Sequence, residues 1–198
     1  MKLKSELMSN VLSLLLWALV VLSALELLST IIYAIDIDFF IEHAYSLNGF
    51  VNLSSVVLYY IILVIYLIWI YRIHMDLIAV FPNYPRSPGS SLACMMVPFY
   101  NFYGIPSTYN WIGTHYSREA IGVEKQGRII RWLAAPLIIF FFITNVLSKY
   151  ISRIDDPSTT VLLVHSAFEF TLYCIFLTLC INVSRGLKNI QVNAPTAY

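Results

Sequence analysis

Four long runs of hydrophobic residues, separated by shorter polar segments, dominate the sequence. A membrane-spanning helix needs about 20 mostly apolar residues, because the hydrocarbon core is about 30 Å thick and each residue rises about 1.5 Å. Each run meets this requirement, and the pattern therefore predicts four spanning helices. They cover residues 11–35, 54–71, 129–150 and 161–184.

The composition fits this interpretation. Hydrophobic residues make up 59% of the chain and charged residues only 12%, whereas soluble domains carry roughly a quarter charged residues. No linker or repeat divides the sequence, so we expect one membrane domain over residues 1–198. The net charge of +1 and the lack of a basic tail give no reason to expect direct nucleic-acid binding.

Lys and Arg are unevenly distributed between the segments that join the spans. If the N-terminus is inside, only Lys149 and Arg153 of the 12 Lys and Arg residues fall outside. Because basic residues favour the cytoplasmic side, we expect both termini and the long loop, residues 72–128, in the cytoplasm. The expected location is the bacterial cytoplasmic (inner) membrane, with the protein as a multi-pass chain.

The stretch "PGSSLACMMVPFYNFYGIPSTYNW", residues 88–111, is apolar but interrupted. A full crossing here would reverse the orientation of every later segment. Lipid cannot satisfy the backbone groups that its prolines release. We therefore predict an all-α polytopic fold of four spans plus a cytoplasmic re-entrant or interfacial hairpin that turns near Pro98–Asn101, where Asn101 bonds backbone groups. The residues expected to shape this loop are Pro88, Gly89, Pro98, Asn101 and Pro106.

Ionisable and amide side chains lie inside the predicted spans at similar depths. Glu26 and Glu169 are about 12–14 Å from the same end, at about 1.5 Å per residue, and His165 precedes Glu169 by one turn. Asn145 has a similar depth to His165. A charged group in lipid needs a partner or water, so these residues form either a proton- or cation-binding site or a structural network that joins the helices.

The predicted cytoplasmic loop offers a second candidate surface. Arg72 and Asp76 are spaced i and i+4, as an ion pair on one helix face would be. The basic residues contact either anionic lipid headgroups or a cytoplasmic protein, and arginine can bind a phosphate or carboxylate through two nitrogens. The candidate binding residues are Arg72, Asp76, Arg86, Arg118, Lys125, Arg128 and Arg131.

Several of these positions form an ordered set of motifs. Trp69 and Arg72 give W-x-x-R, residues 87–89 give S-P-G, and Pro98 with Asn101 gives P-x-x-N, followed by Pro106. This order resembles an uncharacterised family of bacterial multi-pass membrane domains, over roughly residues 60–191. The family usually has asparagine at the position of Asp76. The resemblance implies the architecture and no activity. In size and helix count the chain is also similar to small membrane subunits of bacterial antiphage systems such as Kiwa.

No catalytic or metal-binding motif is recognisable in the sequence. There is no Gly-x-Ser-x-Gly and no P-loop, and the three cysteines lack metal-ligand spacing. We therefore expect no enzyme, no cofactor and no metal. The sequence favours a homo-oligomeric sensor or scaffold that couples membrane lipids to a cytoplasmic partner, with antiphage defence as the expected setting. The alternative is an ion- or proton-conducting oligomer that uses the intramembrane Glu/His cluster.

Overall fold

The computed structural model describes residues 3–97 and 100–193, and every regular element in these ranges is helical. The four spans are joined by a short segment after the first helix and a helical hairpin between the second and third. The helices are α1 (Glu6–Ile35), α2 (Ile37–Phe39), α3 (Tyr45–Val80), α4 (Pro88–Met96), α5 (Tyr100–Arg118), α6 (Glu124–Ile151) and α7 (Thr159–Asn193). Residues Phe40–Ala44 form a π-helical turn between α2 and α3.

Four helical segments are long and apolar enough to cross a membrane, which confirms the predicted number. They are Glu6–Ile35, Ile37–Val80, Glu124–Ile151 and Thr159–Val192. Each helix extends beyond the predicted apolar range, because a helix does not have to end where the hydrocarbon ends. The second span shows this most clearly, since α3 already begins at Tyr45. Lys188 lies 3.9 Å from Glu6, so the helix ends that carry the two termini share one end of the bundle. We call it the termini end.

The helices form a ring. Their main contacts run from α3 to α1, α7, α6, α5, α4 and back to α3. Within the described residues, α3 and α6 are therefore joined through the α4–α5 hairpin rather than by extensive packing on each other. The hairpin fills the gap between these two spans at the termini end. The gap remains open towards the opposite end.

The interrupted stretch is a helical hairpin, as predicted, and it enters the bundle. Ser87 begins α4 by accepting a hydrogen bond from Ser90 N at 3.2 Å, with Pro88 in the first turn, a position that suits proline. Close to the turn, a Cβ on Gly104 would lie 2.6 Å from Cys94 Cβ, so only glycine allows this approach of α5 to α4. The rings of Phe102 and Phe142 lie 5.8 Å apart, so the tip of the hairpin reaches the second half of α6.

The turn itself lies partly outside the described residues. Pro98, which the sequence assigned a loop-shaping role, is one of the residues that the structure does not describe. Asn101 N donates to the Val97 carbonyl at 3.2 Å, so its backbone closes the turn. The Asn101 side chain was expected to bond backbone groups of the turn. Its Oδ1 does not do so, since this oxygen is buried without a hydrogen-bond partner among the described residues. Pro106 lies inside α5.

Candidate functional site

A cavity of about 400 Å³ occupies the gap between α3 and α6. Helices α1 and α7 form its back wall, and the tip of the hairpin forms its floor. The lining is mostly apolar and aromatic, with a few polar groups, as is usual for ligand sites of this size. The polar groups that line it include Glu26, Asn52, Ser55, Asn101, Thr144, Asn145, Ser148 and Glu169.

The two intramembrane glutamates face this cavity from neighbouring helices. Glu26 lies on α1 and Glu169 on α7, close enough for their charges to interact. A hydrogen bond of 3.1 Å between Thr30 Oγ1 and Ser166 Oγ, one turn further along, holds the two helices in this register. The two glutamates, which the sequence places at similar depths, therefore also lie close to each other in the structure.

A chain of polar contacts leads from Glu169 to α6. Tyr173 donates to Glu169 Oε1 at 2.6 Å, and His165 Nδ1 lies 3.9 Å from Oε2. On its other side, His165 Nε2 lies 2.8 Å from Ser148 Oγ. Glu169 is thus held by its own helix and linked through His165 to the wall opposite α3.

Three other polar side chains that line the cavity, those of Asn145, Ser55 and Asn101, differ in whether they have hydrogen-bond partners. Asn145 Nδ2 donates to the Phe141 carbonyl at 2.8 Å and so bonds to its own helix. Ser55 is only 8% exposed and lies beside the Glu26 carboxyl, yet its Oγ makes no hydrogen bond of good geometry with any described residue. Asn101 Oδ1 is also buried in the lining and has no hydrogen-bond partner among the described residues, whereas the Ser55 hydroxyl lies near enough to donate to the Glu26 carboxylate.

Below the hairpin tip the bundle is closed by packed aromatic residues. Tyr66, which lines the cavity, shares a 2.8 Å hydrogen bond with the Tyr109 hydroxyl. Trp69 is fully buried one turn further towards the termini end and donates to Ser9 Oγ at 2.9 Å. The cavity therefore ends inside the bundle.

Arg72 and Asp76 bind the start of the chain rather than each other. Asp76 accepts hydrogen bonds from the backbone N–H groups of Lys4 and Ser5 at 3.0 and 2.9 Å, and Arg72 Nη1 donates to the Lys4 carbonyl at 3.3 Å. Among the described residues the predicted i,i+4 ion pair is absent, because the N–H groups preceding α1 compete for the carboxylate. Asp76 is only 2% exposed, so the prediction that it is a surface binding residue is wrong.

The Arg86 side chain forms hydrogen bonds to helix α5 of the hairpin. Its guanidinium donates to the Gly104 carbonyl at 3.2 Å, to Ser107 Oγ at 3.0 Å and to Thr108 Oγ1. Pro106 lacks an N–H, so the Phe102 carbonyl of α5 loses its helical partner. Arg86 binds a different carbonyl, that of Gly104, which also accepts from Ser107 Oγ and Thr108 Oγ1. Arg86 therefore fixes the loop before α4 onto α5 and uses three of its N–H donors in doing so.

The other basic residues of the loop do reach the surface. Arg118 ends α5, and Lys125, Arg128 and Arg131 occupy the first two turns of α6; all four are exposed. We call these four residues the basic surface. It lies at the termini end, directly beyond the hairpin. Gly127 allows the close crossing of α5 and α6 here, since a Cβ would lie 2.7 Å from the Gly113 carbonyl oxygen.

Buried tyrosines tie the outer end of the hairpin to the other helices. Burial raises the pKa of Tyr84 and of Tyr116 well above the usual value, so both stay protonated. Tyr116 donates to the Val183 carbonyl of α7 at 2.8 Å. The Tyr84 ring packs on His115 at 4.9 Å. These contacts join α5 to α7 and to the loop after α3.

Sequence reasoning missed Ser55, Tyr173 and Ser148 as residues of the site. Two of them carry a spacing signal, because Tyr173 follows Glu169 by four residues and Ser148 follows Asn145 by three. Residues at these spacings share a helix face. Ser55 has no such signal, since α3 bears no charged residue at that depth.

The fold defines an α-helical membrane protein with four candidate spans. No family model, curated protein or solved structure matches the chain. The resemblance in the W-x-x-R, S-P-G and P-x-x-N motifs therefore stays a prediction.

Proposed function

We propose that this protein is a non-catalytic membrane sensor whose ligand site is the cavity between α3 and α6. The N- and C-termini face the cytoplasm, so the cavity opens in the outer half of the bundle and the basic surface faces inward. Occupancy of the cavity alters the hairpin, and the hairpin alters the basic surface. That surface then presents Arg118, Lys125, Arg128 and Arg131 to a cytoplasmic partner.

One observation supports this proposal above the others: the floor of the cavity is the tip of the hairpin. Met95, Asn101 and Ile105 line the cavity, and the same helix α5 ends at Arg118 on the basic surface. A ligand in the cavity therefore touches the element that reaches the opposite face. Arg86 and Tyr116 hold α5 as one body between these ends.

The test replaces the unidentified ligand by a side chain. Val56 lines the cavity and is 46% exposed, whereas its neighbour Val57 is 53% exposed and lies outside the lining. Val56→Trp fills the cavity, and Val57→Trp is the matched control. Amide hydrogen exchange of the purified protein in nanodiscs measures the response of α5 and of the first turns of α6.

We expect slower exchange in Val56→Trp both at residues 100–108 and near the basic surface, with no such change in Val57→Trp. The tryptophan ring packs against the hairpin tip, which otherwise faces the open cavity. Amide exchange in α5 requires local opening of the helix, and added packing makes such opening rarer. Exchange that changes only beside Val56, or equally in both variants, would contradict the proposal.

Ion or proton conduction is the second candidate, and the pair of glutamates favours it. Carboxylates inside a membrane domain are typical of ion and proton pathways. The closed layer of Tyr66, Tyr109 and Trp69 opposes it, because in the part of the chain that the structure describes these packed rings lie between the cavity and the termini end. Conduction would thus require a path between subunits, and ion flux through reconstituted protein distinguishes the two candidates.

We also propose a homo-oligomer, because four spans with polar groups at matching depth leave helix faces that a second copy can cover. A mass measurement in nanodiscs that gives a monomer would contradict this. Antiphage defence stays a prediction from the likeness in size and helix count.

A further inference from the structure

We propose that the cavity binds a protonated primary amine with an apolar chain and no phosphate, entering sideways between α3 and α6. This inference rests on the proposed function and names the chemical class of the ligand. Three features of the site support it: its charge, its unpaired amide oxygen and its apolar opening.

The charge of the site calls for a cation. Glu26 and Glu169 face the cavity together, and among the described residues that line it there is no lysine or arginine. Tyr173 and His165 already contact Glu169. Charges out of water need a partner, and a cation bound between the two carboxylates adds to these contacts and supplies a positive partner on the Glu26 side. A headgroup that also carried a phosphate would bring an anion with no basic partner in this lining.

The unpaired amide oxygen of the lining needs a donor. Asn101 Oδ1 is buried in the lining without a hydrogen-bond partner among the described residues, and a buried polar group without a partner is costly. The Ser55 hydroxyl lies beside the Glu26 carboxyl, to which it can donate. An ammonium group offers three donors and no acceptor. It therefore matches a set of carboxylate, hydroxyl and amide oxygens better than a quaternary ammonium, which has no donor.

The remaining walls suit an apolar chain and a nearby positive charge. Leu19, Leu172 and Phe176 line the back, and the rings of Tyr59 and Tyr60 stand at the α3 side. Aromatic faces attract cations. Because α3 and α6 separate away from the hairpin, a chain can leave the cavity sideways into lipid. The volume of about 400 Å³ holds the headgroup and the first part of that chain.

Equilibrium binding of tritiated dodecylamine to the full-length protein in phosphatidylcholine nanodiscs tests the inference, with empty nanodiscs as background. We expect saturable binding that Glu26→Gln/Glu169→Gln weakens by at least about 10-fold, because charge-assisted hydrogen bonds are lost. Glu42→Gln is the matched control, since Glu42 is an exposed carboxylate on the π-helical turn. Glutamine retains an oxygen for Tyr173, which protects the fold.

Unlabelled competitors show which chemical class of headgroup the cavity binds. Unlabelled dodecylamine should displace the label, dodecyltrimethylammonium should compete more weakly, and dodecanol should not compete. Val56→Trp should block binding without touching a carboxylate, whereas Val57→Trp should not. Equal competition by dodecanol, unchanged binding in the double glutamine variant, or displacement by phosphatidylethanolamine added to the nanodiscs would overturn the inference.

The experiments distinguish an error in the proposed ligand class from an error in the proposed sensor function. The exchange measurement with Val56→Trp contains no amine. If it shows the response at the basic surface while dodecylamine does not bind, the ligand class is wrong and the proposed function stands. If dodecylamine binds but the hairpin does not respond to either occupant, the cavity is a binding site without the proposed coupling.

Discussion

Asp76 holds the beginning of α1 through the backbone N–H groups of Lys4 and Ser5, at 3.0 and 2.9 Å. The carboxylate comes from α3, so a single buried side chain ties the first span to the second at the termini end. Negative charge at a helix N-terminus is favourable, because the first N–H groups of a helix lack partners within it. Asp76 is thus a structural residue of the bundle.

Replacing Asp76 by alanine should destabilise the protein by about 2–4 kcal/mol, since two charge-assisted hydrogen bonds are lost in a buried site. Asp76→Asn keeps one oxygen acceptor and should cost about 1 kcal/mol. Thermal unfolding of the purified protein measures both changes. Asp155→Asn, in the exposed turn between α6 and α7, is the control, and an Asp76→Ala variant as stable as this control would contradict the assignment.

Arg86→Lys should loosen the hairpin although it keeps the positive charge. The arginine binds Gly104, Ser107 and Thr108 through two nitrogens, and an ammonium cannot reproduce this planar fork. We expect faster proteolysis and faster amide exchange in α4 and α5, with a loss of about 1–3 kcal/mol. Arg118→Lys, on an exposed arginine, should leave both unchanged; equal effects of the two changes would refute the role of Arg86.

Gly104→Ala should separate α5 from α4 near the hairpin tip. The added Cβ would lie 2.6 Å from both Cβ and the carbonyl oxygen of Cys94, and a backbone atom cannot move aside cheaply. Overpacking of this kind costs about 1–3 kcal/mol. Gly89→Ala is the matched control, since nothing lies within 4 Å of its added Cβ. Similar unfolding temperatures for the two variants would mean that the close contact is not required.

The proposed orientation rests on the distribution of Lys and Arg, and reporters in two exposed turns test it. An enzyme reporter inserted after Gly122, between α5 and α6, should report the cytoplasm. The same reporter after Asp155, between α6 and α7, should report the outer side. The opposite pattern would place the cavity in the inner half of the membrane and remove the basic surface from the cytoplasm.

The spans and the hairpin could be predicted because their signals are local. Residues 54–71 are apolar enough to need lipid, and Pro82 and Pro85, directly after α3, prevent one continuous helix into α4. The role of Asp76 could not be predicted, because its partners precede it by 71 residues or more and are backbone groups. A side chain spaced i,i+4 from an arginine suggests an ion pair until tertiary structure offers better donors.

The cavity was predictable only in part. The depths of Glu26 and Glu169 follow from a constant rise per residue, so their meeting could be expected. That the hairpin tip forms the floor, and that α3 and α6 leave a gap above it, depends on the order of helices in the ring. Nothing in a single sequence fixes that order.

The central claim is that the cavity ends at the hairpin and therefore binds a ligand rather than conducting ions. Proton and potassium flux into liposomes that contain the purified full-length chain tests this most directly. The closed layer at Tyr66, Tyr109 and Trp69 predicts flux no faster than in protein-free liposomes. Flux above that level which Glu26→Gln/Glu169→Gln abolishes, and which Glu42→Gln leaves intact, would contradict the claim.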